Sequence, residues 1–207
     1  GPAAGSSTND NGSTDGTGNA ARFYRPYGIT THGTNLYVAE AANNKIRKIV
    51  IDNGTVTTFA GPPAGTVESG STDNATPSNA RFNLPLGITT DGPNFYVADW
   101  GNHKIRKIVI STGVVTTFAG PAAGTTTAGD TDGTGNDARF NGPFGITTDG
   151  TNLFVGEYGN NKIRKIVIST GVVTTLAGPA AGKRWLGRDL VRKPGSFQVI
   201  SHEPYCN

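Results

Sequence analysis

The segment GITTDGPNFYVADWGNHKIRKI, residues 87–108, decides the fold, because it places two turn sequences between short apolar runs. The sequence DGPN at 91–94 has the Gly and Pro of a tight turn, WGNH at 100–103 provides a second turn, and STG at 111–113 a third. Turns at this close spacing are typical of antiparallel strands. The segment therefore predicts a four-stranded meander, with strands at 86–90, 95–99, 104–110 and 114–118.

The same pattern occurs three times along the chain. The GITT motif begins at residues 28, 87 and 145, and KIRKIV begins at residues 45, 104 and 162, so that the repeats are 59 and then 58 residues apart. Gly-Pro pairs at 61, 120 and 178 close the units. We therefore predict three units, at about residues 1–60, 61–119 and 120–182, followed by a segment at 183–207 that matches no repeat.

Composition agrees with many short strands. The chain has 30 glycines and 12 prolines among 207 residues, which argues against long helices. No apolar run approaches the roughly 18 residues of a membrane span, and a single cysteine, Cys206, excludes an internal disulfide framework. A helical bundle, a membrane span and a disulfide scaffold are thus excluded.

The apolar run at 108–110 breaks the alternation expected of a sheet with one wet face. Such strands are typical of sheets that are covered on both sides. Four-stranded units that stack on one another provide this cover, so the expected architecture is all-β, a β-propeller with three blades in this chain.

The repeat resembles a known family. The run P-x-G-I-T-T-D-G-x-N-x-(Y/F)-V-(A/G)-(D/E)-x-G-N-(H/N)-K-I-R-K-I, from Pro85 to Ile108 and from Pro143 to Ile166, is similar to the NHL repeat of six-bladed propellers, in particular to the bacterial secreted type. The first unit departs from it at His32 and at Ala41-Ala42. The resemblance implies an extracytoplasmic or secreted binding propeller. It also implies six blades, where this chain supplies three.

The difference in blade number predicts self-association. Three blades cannot close a ring, because the smallest usual propellers have four. An open half-ring would leave apolar blade faces in water at both ends. We therefore expect two chains to pair as half-rings of one six-bladed propeller, a homodimer.

Loops between the second and third strands of each unit supply the candidate binding residues, because propeller geometry and the resemblance place these loops on one face with the linkers. Aromatic rings beside amides and carboxylates suit sugars or polar peptides. The acids and asparagines are equally the residues that satisfy the backbone of a tight turn. Trp100 and Tyr158 replace Ala41 of the first unit, so a turn alone explains them less well. The predicted ligand-binding residues are Trp100, Tyr158, Asp99, Glu157, Asn102, Asn160, His103 and Glu40.

Other chemistries have weaker signals. The linker run DTDGTG at 130–135 has closely spaced carboxylates and glycine, a weak calcium signal that lacks the full 12-residue pattern. Only three histidines are present, which leaves few ligands for a catalytic metal, and we expect neither a metal site nor catalytic residues. No phosphate-binding loop or nucleophile elbow occurs.

Charge argues against nucleic acid. The units at 1–182 have 13 basic and 13 acidic residues, and the net charge of +3 lies in the segment 183–207. We expect the KIRK charges to lie on blade edges, to pair with acids and to keep the blades soluble, rather than to bind RNA. The segment 183–207 fits an unselected extension, a cap over an exposed blade or a basic interaction arm.

The sequence thus favours a non-catalytic binding or scaffolding propeller with a glycan or protein ligand on the loop face. Two alternatives stay open: a structural module that mainly self-assembles, and half of a propeller lyase or hydrolase.

Overall fold

A computed structural model describes residues 11–180 as three antiparallel sheets joined by linkers. We call them blades 1, 2 and 3. The segment 183–207 and the first ten residues of the first unit lie outside the described residues. The strands of blade 1 are β1 (Gly16–Thr17), β2 (Pro26–His32), β3 (Asn35–Glu40), β4 (Lys45–Val50) and β5 (Thr55–Ala60). Those of blade 2 are β6 (Pro85–Thr90), β7 (Asn94–Asp99), β8 (Lys104–Val109) and β9 (Val115–Ala119). Those of blade 3 are β10 (Gly133–Thr134), β11 (Pro143–Thr148), β12 (Asn152–Glu157), β13 (Lys162–Val167) and β14 (Val172–Ala177).

The predicted all-β meander is confirmed. In blade 2 the strand order is β6-β7-β8-β9, and each strand lies within one residue of its predicted position. Helical structure in residues 11–180 is limited to 3-10 turns of three residues, such as Trp100–Asn102. No helix in this part of the chain is long and apolar enough to cross a membrane.

One feature of the sheets was not predicted. Blades 1 and 3 each have a fifth, two-residue strand that comes from the preceding linker: Gly16 pairs with Val56, and Gly133 pairs with Val173. In blade 2 the same position is a single bridge between Asn74 and Val115. Two residues are too few to give an alternating pattern, so the sequence carries no signal for these strands.

The blades pack face to face through two apolar cores. Between blades 1 and 2, Tyr37 and Ile46 contact a group that includes Phe82, Phe95 and Ile108. The equivalent core between blades 2 and 3 contains Tyr96, Ala98, Ile105, Phe140 and Val155. The units therefore stack as successive blades, which confirms the β-propeller architecture.

Strands β2, β6 and β11, which begin the four-stranded meander of each blade, lie where neighbouring blades approach most closely. A side chain added at Gly87 would place its Cβ atom 2.6 Å from the carbonyl oxygen of Phe144 in blade 3. Gly28 makes the same close approach to Leu86 of blade 2. Only glycine permits this contact between backbones. At Gly145, the equivalent position in blade 3, no atom lies within 4 Å of the added Cβ.

The two outer blade faces are uncovered among the described residues. On blade 1, Ile29 is 58% exposed, whereas its equivalent Ile88, in the interior of the stack, is 6% exposed. On blade 3, Ile163 and Leu176 are 42% and 55% exposed. Burial of these positions thus depends on whether another blade stands next to them.

Candidate functional site

Strand register brings the predicted binding loops and the linkers to one end of every blade. In blade 1, Glu40 pairs with both Pro26 and Lys45, and Ile46 pairs with Ala60. The β3–β4 loop, the start of β2 and the end of β5 therefore share one edge, which we call the loop face. The predicted site residues lie on this face, but four of the eight are buried.

A buried arginine organises the loop face of each blade. In blade 2, Arg106 is fully buried and makes ion pairs with Asp99 at 3.0 Å and Asp73 at 2.8 Å. Its two terminal nitrogens also donate to the carbonyl oxygens of Arg81 and Thr72. The guanidinium group lies 4.9 Å from the centre of the Phe82 ring, a cation–π contact. One side chain thus joins the linker, the loop and the strand β8.

Blades 1 and 3 repeat this arrangement. Arg47 pairs with Glu40 at 2.8 Å and with Asp15 at 2.9 Å, and Arg164 pairs with Glu157 at 3.0 Å and with Asp132 at 2.7 Å. The sequence signal is an acid seven residues before an arginine: because Val38 pairs with Arg47, the acid at position 40 is the diagonal neighbour of the arginine across the hairpin. The expectation that the KIRK charges pair with acids on soluble blade edges missed their burial.

The loop acids also hold the backbone. The carboxylate of Asp99 accepts the amide hydrogen of Asn83 at 2.8 Å and the side-chain amide of Asn102 at 2.8 Å. Asn102 in turn donates to the carbonyl oxygen of Gly70 in the linker. Burial raises the pKa of Asp99, against the opposing effect of the Arg106 charge. These contacts match the turn-stabilising interpretation of the acids and asparagines, and equivalent bonds join Glu157 to Asn160.

The first lysine of each KIRK motif is buried as well. The ammonium group of Lys104 donates to Ser71 Oγ at 2.7 Å and to the carbonyl oxygen of Ala122 at 2.9 Å. Burial lowers the pKa of Lys104 to about 8. In blade 3 Asp130 takes the place of the serine and pairs with Lys162 at 3.0 Å. The carboxylates of Asp130 and Asp132, in the run with the weak calcium signal, are thus engaged by cationic side chains.

Trp100 packs against the next blade. It is half-buried, and its indole nitrogen lies 2.8 Å from the place that a Cβ atom at Gly142 would occupy. The equivalent of Gly142 between blades 1 and 2 is Leu84, which faces a loop with Ala41 in place of tryptophan. At one junction the loop residue is large and the residue of the next blade is small, and at the other junction the reverse holds. The size of Trp100 is thus explained in part by packing against Gly142.

His103 forms a hydrogen bond across the same junction. Its Nδ1 accepts the amide hydrogen of Gly142 at 3.0 Å, just as Asn44 Oδ1 accepts that of Leu84 at 2.9 Å. A ring nitrogen can accept only when it carries no proton. Burial lowers the pKa of His103 below its ordinary value of 6.5, and the Asp99 charge opposes that effect.

This bond predicts a pH dependence at the junction between blades 2 and 3. Because the pKa of His103 is lower in the folded state than in the unfolded state, its stabilisation is fully present above pH 6.5 and is lost as the pH falls through the folded value. In the matched variant His103→Asn, an acceptor that does not titrate replaces the ring, as at Asn44 and Asn161. We expect the melting temperature of the wild type to fall more than that of the variant between about pH 7.5 and pH 5. Equal slopes would contradict this assignment.

Tyr158 differs from Trp100 in its surroundings. It is 76% exposed, because among the described residues no blade covers that side of blade 3. A concavity of about 600 Å³ opens beside it, lined by Phe144, Gly145, Asn161 and Ile163 among others. The loop face therefore presents Tyr158 and part of Trp100 and His103 to solvent, while Glu40, Asp99, Glu157 and Asn102 are buried and Asn160 is half-buried.

Within residues 11–180, no three histidine, cysteine or acidic side chains are grouped closely enough to hold a metal ion. Sequence reasoning placed the acids on one binding rim, and it missed the arginine that binds each acid within its own blade. The missed signal was the constant seven-residue spacing, combined with the Arg-Phe pair that begins at residues 22, 81 and 139.

Both curated proteins and solved structures are similar to this chain. The human NHL repeat-containing protein 2 is 35% identical over 111 residues, which cover 50% of this chain and 14% of that protein. No family model matches the sequence. A Bacteroides thetaiotaomicron protein of unknown function superposes with a TM-score of 0.57 and 29% identity, over 68% of this chain and 32% of its own. An auxiliary nutrient binding protein from the same species gives a TM-score of 0.56 and 25% identity, over 71% of this chain and 36% of its own.

These similarities cover only a minor part of each relative. The matched region is about one seventh of the curated relative and about one third of each solved structure.

Proposed function

Because the chain belongs to the NHL-repeat β-propeller family, we propose that it is a non-catalytic binding module whose loop face takes a glycan. A protein ligand on the same face is the alternative. The module is proposed to work outside the cytoplasm, as suits a chain with a Bacteroides nutrient binding protein among its structural relatives.

The observation that supports this proposal is that the same contacts hold the β-hairpin loop in every blade, while the residue at the tip of the loop differs from blade to blade. In all three blades a buried acid, an asparagine three residues later and an arginine hold the β-hairpin loop in the same way. The residue after the acid is Ala41, Trp100 or Tyr158. Since the frame does not require a particular side chain there, the aromatic residues are available for recognition.

The exposed chemistry of the face favours a sugar. Because the charges of the buried acids are neutralised by ion pairs with arginine, the loop tips present aromatic rings and amides with little net charge. An aromatic ring stacks on the C–H face of a sugar while nearby polar groups fix its orientation. Trp100 is the proposed anchor, because its contact with Gly142 holds the ring in one position and leaves part of it in solvent.

The Trp100→Ala variant tests this proposal. We expect it to weaken binding of a glycan found on an array about 5-fold to 10-fold, since one stacking contact contributes about 1 kcal/mol. Because the indole also packs on Gly142, we expect the free energy of unfolding to fall by about 1 kcal/mol as well. Binding is measured by isothermal titration calorimetry well below the melting temperature, so that both chains are folded.

Thr151→Ala is the matched control, because Thr151 is exposed in the turn at the opposite end of strand β12. It should leave glycan binding unchanged. Equal affinities for the wild type and Trp100→Ala would remove the anchor from the proposed site. Binding of proteins alone in a parallel screen would favour the alternative ligand.

A further inference from the structure

The two interior junctions between blades share two contacts, and the junction between blades 2 and 3 shows a third. A glycine on the inner strand meets a backbone carbonyl of the next blade, as Gly87 meets Phe144. A residue with left-handed backbone accepts an amide hydrogen of the next blade through its side chain, as His103 accepts that of Gly142. The loop-tip residue lies beside the donor of that bond, as Trp100 does.

Each interior junction joins two different blade faces. Among the described residues, blade 3 leaves one of these two kinds of face uncovered and blade 1 leaves the other. Blade 3 presents Gly145, Asn161 and Tyr158 beside its concavity. Asn161 has the same left-handed backbone, with a φ of 54°, as Asn44. At the other end, Arg25 and Tyr27 of blade 1 occupy the positions of Gly142 and Phe144.

We propose that the open face of blade 3 binds blade 1 of a second copy of this chain, and that two such junctions join two chains into one closed ring. By equivalence, Gly145 lies against the carbonyl oxygen of the partner's Tyr27. The side chain of Asn161 accepts the amide hydrogen of the partner's Arg25, and Ile29 of the partner enters the concavity. This inference does not rest on the proposed glycan ligand.

Side-chain chemistry at the new junction is complementary. The two interior pairs at the loop tip combine a small with a large residue, Ala41 with Leu84 and Trp100 with Gly142. The third pair would be Tyr158 with Arg25, an aromatic ring and a guanidinium group, which attract one another. Both are exposed in the single chain.

Ring closure explains why the assembly stops at two chains. A head-to-tail contact that does not close would continue into filaments. When two chains close a ring, the second junction forms within one complex, which strengthens the assembly without any new kind of contact.

The Gly145→Val variant separates this junction from the fold. Within one chain a Cβ atom at position 145 meets nothing within 4 Å, so the variant should fold normally. In the ring it would collide with the partner's backbone. We expect light scattering on the full wild-type chain at micromolar concentration to give about twice 21.4 kDa, and the variant to give 21.4 kDa with an unchanged circular dichroism spectrum.

Thr174→Val is the control. Thr174 and its equivalents Thr57 and Thr116 are all exposed, which means that this position lies outside the junction even in the interior of the stack. The Thr174→Val variant should therefore remain dimeric. Ile29→Arg, at the other end of the chain, should dissociate the dimer as Gly145→Val does.

Mixing the two dissociated variants gives a further check, because one of the two junctions in a mixed dimer is free of both substitutions. Dimers that form only in the mixture support the head-to-tail arrangement. A wild-type dimer that survives both substitutions overturns the proposal. A wild-type mass of 21.4 kDa, as would result if residues 181–207 covered blade 3 within one chain, also overturns it.

Discussion

Replacing Arg106 with methionine is expected to lower the free energy of unfolding by about 3–5 kcal/mol, the cost typical of removing one partner from a buried ion pair. Arg106 has no exposed surface and pairs with Asp99, whose side chain is also fully buried. Without the guanidinium group, the Asp99 carboxylate either stays charged in the interior or takes up a proton. The carbonyl oxygens of Arg81 and Thr72 each lose one hydrogen-bond donor at the same time, although that of Thr72 keeps the amide hydrogen of Arg81.

Chemical denaturation measures this loss, with Lys107→Met as the matched control. Lys107 is the next residue on strand β8 and points to the opposite side of the blade, and no acid pairs with it among the described residues. We expect the control to change stability by less than about 1 kcal/mol. Combining Arg106→Met with Asp99→Leu should cost less than Arg106→Met alone, because no fully buried charge is then left unpaired; Asp73, the other partner of Arg106, is partly exposed. Equal losses for Arg106→Met and Lys107→Met would contradict the central role of the arginine.

Replacing Gly87 with alanine is expected to lower the free energy of unfolding by about 2–3 kcal/mol, because a methyl group there is overpacked. Its Cβ would lie 2.6 Å from the carbonyl oxygen of Phe144 and 3.0 Å from the side chain of Ile146. A backbone carbonyl cannot move aside as a flexible side chain can, so blades 2 and 3 would have to separate.

Gly156→Ala is the matched control for this substitution. Gly156 lies in a strand of blade 3, its equivalents in blades 1 and 2 are Ala39 and Ala98, and the nearest atom to an added Cβ is 3.9 Å away. An alanine therefore fits in that position, and removing a strand glycine should leave stability equal or raise it by about 0.5 kcal/mol. Thermal denaturation compares the two variants. If Gly87→Ala is as stable as Gly156→Ala, the blades do not pack through the inner-strand glycines.

The buried ion pairs limit which residues can contribute to the proposed ligand site. The acids that sequence analysis placed on the binding face form buried ion pairs with Arg47, Arg106 and Arg164. Replacing one of these acids should therefore destabilise its blade rather than weaken ligand binding. In the proposed site, recognition would fall to the loop-tip residues, of which Trp100 and Tyr158 carry aromatic rings.

The sequence by itself determined the local structure of this protein. Turn residues such as those at 91–94 and 111–113 mark where each strand ends, and the 58-residue to 59-residue period defines the units. These signals are local, because the backbone preference of Gly, Pro, Asn and Asp acts within a few residues. They were sufficient for the strand order and the number of blades, whereas the shared face of the loops followed from propeller geometry and the family resemblance.

Only the tertiary structure decided which of the charged and aromatic residues are available for function. Arg106 is buried because Asp73, 33 residues earlier, and Asp99 across the hairpin both reach it. These residues recur at nearly constant spacing in each unit, but spacing alone does not show that they meet in the interior. Trp100 and Tyr158 occupy equivalent positions, yet the first is half-buried and the second exposed. The difference arises because a blade stands beside Trp100 and none of the described residues covers Tyr158, so exposure here depends on the neighbouring blade rather than on the residue.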